Sequence, residues 1–155
     1  MLEEWKERFR AIRLPLSPEK QRGLFGELCV LRALKEGGNE SVVSTWVGPD
    51  RSLHDFVSSD WHIEVKTSTT NPGRLKIHPL EQLEPISEKF HLIMVEISPG
   101  EGQSLPSLVE EIRVSVENDP GAFDHYEKML SKVGYRDVDA DRYDTLYVLE
   151  GFHSL

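Results

Sequence analysis

Cysteine is almost absent: Cys29 stands alone, so no internal disulfide can brace the chain. Set among leucines on a predicted helix, it reads as a small buried apolar residue rather than a nucleophile. Long apolar runs are missing too. The longest, such as LIMV at 92–95, fall far short of the roughly 20 residues needed to cross a bilayer. The opening MLEEWKERF lacks the basic start and apolar centre of a secretory signal, so a cytoplasmic protein without a membrane span is expected. Positive charge is scarce: 18 Lys and Arg against 27 Asp and Glu leave a formal net charge of -9. That deficit weighs against a simple nucleic-acid binder, whose phosphate contacts draw on clustered cations. The objection weakens if several carboxylates hold a divalent cation, which reverses local charge, or if a partner supplies basic surface. Basic residues do occur where the chemistry is read below, at Arg51, Lys66, Arg74 and Lys76.

The 155 residues suit one domain with one core: an N-terminal helix and linker over 1–16, then a core over 17–155. Leu2, Trp5, Phe9 and Ile12 share a helical face. A second helix starts with Ser17 as N-cap and Pro18 in its first turn, and stops at Gly37 and Gly38. SVVSTWV at 41–47 reads as a strand and GPD at 48–50 as a turn. LHDFV and HIEVKT read as two strands of a hairpin joined around residues 58–61. RLKIH suggests an edge strand and LEQLEPISEKF a short helix. HLIMVEI resembles a strand covered on both faces. Two helices follow, one with Leu108, Ile112 and Val116 on a face and one with Phe123, Tyr126, Leu130 and Val133, ending at Gly134. TLYVLEGF closes the chain as a strand. This order predicts an α/β fold with a mixed sheet flanked by helices.

If the hairpin pairs Val57 with His62 and Phe56 with Ile63, Asp55 falls opposite Glu64, with side chains about 4.5–5.5 Å apart. Like charges so placed are destabilising unless a cation sits between them. Lys66 projects from the same face as Glu64, whereas Phe56, Ile63 and Val65 point to the other and can join the core. Glu27 adds an independent sign. At helical spacing it lies among Leu24, Leu31 and Leu34, where a carboxylate is costly unless it is paired or bound to metal. Gly23 and Gly26 fit a helix lying close to the sheet. Plainer readings exist for each of these. Glu64 and Lys66 could be a solvated charge pair, and Glu4-Trp5-Lys6 carries the same acid-any-lysine pattern with no partnering aspartate. His54 and His62 suit solvated or core positions better than metal ligation. Trp46 and Trp61 suit packing better than base stacking.

Asp55, eight intervening residues, then Glu64-Val65-Lys66 resembles the active-site motif of the PD-(D/E)XK nuclease superfamily. More narrowly, GLFGELCVLRAL, WVGPDRSLHDFV, IEVKTS and HPLEQL are similar to the bacterial family known only as PD-(D/E)XK motif proteins, over about Leu14 to Phe152. The resemblance implies a restriction-endonuclease-like core and metal-dependent hydrolysis of phosphodiester bonds in DNA, in restriction or anti-phage defence. It implies that Asp55, Glu64 and the Val65 carbonyl hold Mg²⁺ or Mn²⁺, that Glu27 completes the acidic cluster, and that Lys66 orients the attacking water. Thr67 and Ser68 would bind phosphate. Gln82 resembles a glutamine that some members carry on the next helix. A homodimer, or a partner protein in a defence complex, is an expected assembly. Two other classes fit part of the pattern: an inactive nuclease-fold module that binds nucleic acid or scaffolds a complex, and a metal-dependent hydrolase of small phosphate esters.

Overall fold

The computed structural model describes residues 14–38, 40–69 and 89–154, together with Leu2 and Glu4. The expected edge strand at RLKIH, the helix at LEQLEPISEKF except for Lys89 and Phe90, which open a strand instead, and nearly all of the N-terminal helix lie outside these residues. So do Arg74, Lys76 and Gln82.

Helix α1 spans Pro18–Glu36, with the ends its sequence announces. The Ser17 side chain accepts from the Lys20 N–H, Pro18 occupies the first turn where its missing N–H costs nothing, and Gly37 closes the last turn. Leu24, Phe25, Leu28, Cys29 and Leu31 are buried along it. Burial pushes the Cys29 thiol up to about 12, so it stays protonated and inert at neutral pH, as its place among leucines suggested.

The sheet has four strands in the order β1-β2-β3-β4: β1 Phe56–Val57, β2 Trp61–Thr69, β3 Lys89–Ser104 and β4 Leu146–Ser154. β1 and β2 are antiparallel, β2 and β3 parallel, and β3 and β4 antiparallel, which makes the sheet mixed. Ile63, Val65, Ile93, Val95 and Ile97 alternate onto one face and are buried there. Against that core lie α1 and the two later helices, α2 (Leu105–Val116) and α3 (Pro120–Val133). A buried bond from the Tyr126 hydroxyl to the Val109 carbonyl, 2.9 Å, ties α3 to α2. The fold is thus the expected α/β arrangement, a mixed sheet flanked by helices.

Three local expectations are corrected. Residues 41–47 are not a strand: Glu40–Thr45 form a 3-10 helix, and Trp46 makes only a single bridge to Phe56. Val42, Val43 and Trp46 all point inward, a spacing that period-two alternation cannot serve, and the Thr45 hydroxyl closes the turn on the Val42 carbonyl at 2.6 Å. The strand expected over LHDFV shrinks to Phe56–Val57, because the Asp55 carbonyl accepts from the N–H groups of both Val47 and Gly48 and so is taken by a turn. HLIMVEI is covered less evenly than a strand buried on both faces, since Leu92 and Met94 remain partly exposed.

Candidate active site

The hairpin pairs Phe56 with Ile63 and Val57 with His62, as expected. The pairing ends there, because the Asp55 N–H turns in to the Ile63 carbonyl at 3.0 Å, where a continued ladder would point it away from β2. The expected direct opposition to Glu64 is therefore corrected to a break in the ladder at Asp55. Its Oδ2 accepts from the Val65 N–H at 2.8 Å, which locks the side chain against β2. Lys66 Nζ lies 3.5 Å from Glu64 Oε1, and His54 Nδ1 lies 3.9 Å from Glu64 Oε2. Phe56, Ile63 and Val65 point into the core, as the strand alternation demands.

Glu27 reaches this hairpin from α1. Its Oε1 accepts from the Trp46 indole N–H at 3.0 Å. A Cβ built on Gly48 would lie 2.6 Å from Asp55 Oδ1 and 3.0 Å from Glu27 Oε1, so two carboxylate oxygens flank one point that only a glycine leaves open. Burial, then the charge of Asp55 and more weakly that of Glu64, push the Glu27 carboxyl up to about 8, although the Trp46 bond pulls the other way. Asp55 is also raised, chiefly by burial and then by Glu64, against the lowering effect of the Val65 N–H, Lys66 and His54. Three acids thus sense one another across the junction of helix, turn and hairpin.

The close seating of α1 depends on Gly26. A Cβ there would collide with the Thr67 hydroxyl and sit 3.0 Å from the Thr67 Cβ. Gly23 has nothing within 4 Å, so the close approach expected of both glycines belongs to Gly26 alone. Val65, Lys66, Thr67 and Ser68 line an open cleft of about 960 Å³ together with Glu27 and Pro49. Thr67 and Ser68, assigned to phosphate from sequence, are half-buried in that cleft, with Thr67 turned to the helix. His54 packs its ring against His62 and Phe90, at 5.1 and 4.9 Å between centroids. Trp46 is fully buried, which rules out base stacking by it.

The family model described as "Putative PD-(D/E)XK family member, (DUF4420)" matches residues 1–153. The chain belongs to this family. No curated protein and no solved structure matches it. Membership agrees with the mixed sheet flanked by helices and with an acid-bearing hairpin in the PD-(D/E)XK order.

Members of such a family imply a divalent cation, and the donors here can be tested against that. Among the described residues, no group of three or more His, Cys, Asp and Glu side chains is gathered to hold a metal ion. Glu64 instead leans toward Lys66 and His54, while Asp55 and Glu27 meet beside Gly48. Carboxylate oxygens and a main-chain carbonyl are nonetheless hard donors of the kind that fits Mg²⁺ or Mn²⁺. The raised Glu27 and Asp55 carboxyls fit it too, since clustered acids without a counter-charge hold protons that a cation would displace.

Two residues of the site have roles that the sequence did not indicate. Trp46 holds Glu27 through its indole N–H, and His125 Nε2 sits 2.8 Å from the Trp46 main-chain carbonyl, tying that backbone to α3. Gly48 was legible as part of a turn. Its approach to both carboxylates was not.

Proposed function

We propose that this chain is a metal-dependent nuclease that hydrolyses phosphodiester bonds in DNA. The observation that supports the reading is the hairpin, which holds Asp55 on the Val65 N–H of the strand that carries Glu64 and Lys66, while Glu27 arrives from α1 at Asp55 beside Gly48. Asp55, Glu64 and the Val65 carbonyl would hold Mg²⁺ or Mn²⁺, with Glu27 completing the acidic set directly or through water. When bound, a divalent cation supplies charge stabilisation for the phosphate and a more acidic water. Lys66, its side chain 61% exposed at the cleft, orients the attacking water and faces the incoming phosphate. Glu27 Oε1 is taken by the Trp46 N–H, which leaves Oε2 as the oxygen that would turn to the cation or to its water. Thr67 and Ser68 offer hydroxyls along the cleft wall. Restriction or anti-phage defence, alone or with a partner protein, is the setting in which such an activity is useful.

One observation favours a second reading. Glu64 is engaged by Lys66, and the acids do not form a finished cage, which would suit a nuclease-fold module that binds nucleic acid without cutting it. One assay separates the two. Purified chain is incubated with plasmid, linear duplex, single-stranded DNA and RNA, with Mg²⁺, Mn²⁺ or EDTA. Cleavage is expected with metal and not with EDTA, falling at least about 100-fold in Asp55→Ala and Lys66→Ala while both variants keep the wild-type circular dichroism. No cleavage of any substrate, together with divalent-metal binding unchanged in Asp55→Ala, overturns the catalytic assignment.

A further inference from the structure

The cleft beside Lys66 does not end at the hairpin. Arg22 and Thr69 line it and also line a second cleft of about 540 Å³, which continues past Tyr147 and Thr145 to Arg142. No carboxylate is among the described residues lining the second cleft. In a chain with 27 acids and 18 bases that is unexpected, because three of the other four arginines among the described residues are paired with acids. Arg32 pairs with Glu111 at 3.1 Å, Arg113 with Glu127 at 2.6 Å and Arg136 with Asp139 at 3.1 Å. Neither Arg22 nor Arg142 makes an ion pair with any described residue.

The two arginines come from separate elements that are stapled together. The Leu16 N–H donates to the Tyr143 hydroxyl at 2.8 Å in a buried bond, and the Gln21 amide donates to the Leu16 carbonyl at 2.9 Å. Gln21 neighbours Arg22 in α1, and Tyr143 follows Arg142 at the end of the 3-10 helix Asp137–Arg142. The pair of guanidinium groups is thereby carried on a braced frame rather than on free loops. Planar, permanently charged donors left uncompensated in a polar cleft suit phosphate oxygens.

We infer that Arg22 and Arg142 form a phosphodiester-binding subsite that holds a nucleic-acid strand flanking the bond placed at Asp55, Glu64 and Lys66. The inference rests on the nuclease reading for the position of the reacting phosphate, and its test is independent of cleavage. Binding of fluorescent 20-nucleotide single-stranded and duplex DNA is titrated against full-length chain, with Ca²⁺ in place of Mg²⁺, over a series of salt concentrations. The variants are Arg22→Gln/Arg142→Gln, the charge-keeping Arg22→Lys/Arg142→Lys, and Lys35→Gln as a control that removes one positive charge at the far end of α1.

The glutamine pair should weaken binding about tenfold or more and lower the slope of log affinity against log salt by about 1.8 for duplex, or about 1.4 for single strands. The lysine pair should restore most of that slope, and Lys35→Gln should leave it unchanged. Equal affinity and slope in wild type and the glutamine pair overturns the subsite, even if the wild type cuts DNA. A mononucleotide that binds as tightly as the oligonucleotides also overturns it, in favour of a small-phosphate site. Arginine-dependent binding without cleavage sustains the subsite and removes only the catalytic assignment.

Discussion

Replacing Glu27 with Gln should change how stability depends on pH more than it changes the fold. In the folded chain the Glu27 carboxyl titrates near 8, against an ordinary 4.5. Between those values the folded state holds a proton that the unfolded state has released, so stability falls as pH rises across that window. Below about 4.5 the contribution is fully present, and above about 8 it is gone. At about 1.4 kcal/mol per pH unit the ceiling is roughly 5 kcal/mol, and relaxation and solvent at this partly accessible side chain leave on the order of 2. A glutamine keeps an acceptor for the Trp46 N–H and cannot ionise. In metal-free buffer with EDTA, urea unfolding from pH 5 to 8.5 should show the wild type losing stability steeply and Glu27→Gln losing much less. Asp55, also raised, leaves the variant a residual slope of the same sign. At pH 8 the variant should melt about 4–8 °C higher, and millimolar Mg²⁺ should flatten the wild-type profile by supplying the missing counter-charge. Parallel profiles for the two proteins would refute the reasoning, because they would mean that neither burial nor the neighbouring acids raise the Glu27 carboxyl.

Gly26→Val should lift α1 off β2, since its Cβ meets the Thr67 hydroxyl, at about 1–3 kcal/mol in unfolding experiments; Thr67→Ala in the same chain should recover part of that loss. Trp46→Phe keeps the buried ring but deletes the donor to Glu27, which should cost about 1–3 kcal/mol and move the alkaline end of the pH–stability profile, where folded Glu27 loses its proton, upward. A variant as stable as wild type, with an unmoved profile, would remove Trp46 from the site.

How much of this was legible in the sequence depended on whether the signal was local. Ser17, Pro18 and Gly37 mark α1 through backbone groups that helix ends leave unsatisfied, and the structure ends the helix there. The hairpin register followed from alternation, because a slip by one residue would have put Phe56 and Ile63 on the face of Asp55 and Glu64. Residues 40–47 misled because β-branched valines favour strands, whereas here the burial of Val42, Val43 and Trp46 together selects a 3-10 turn. The reach of β3 to Ser104 was hidden by Pro99 and two glycines, which a register shift against β4 accommodates. For Trp46, Gly48 and His125 there was no local signal at all. Their roles come from contacts across 19 to 79 positions of chain.

The acidic net charge, which at first opposes nucleic-acid binding, has a different meaning once the charges are located. Charges separated by more than about 8 Å are largely screened at physiological salt, so a strand responds to the local surface and not to the sum. Much of the cationic charge is spent inside the fold: Arg32, Arg113, Arg136 and Lys132 each hold a carboxylate. Arg22 and Arg142 are left to face the clefts, with Lys20 on the same side. At the other end of that path stand Asp55, Glu64 and Glu27, which repel phosphate for as long as they are charged and uncompensated. A proton on Glu27 relieves this in part and a divalent cation relieves it more, so the arginines can draw a strand in while the acids admit its reacting phosphate only when a cation is there to receive it. On the proposed reading the acid excess is a condition on engagement: a cation and a nucleic-acid strand bound at this cleft would be thermodynamically linked, each strengthening the other.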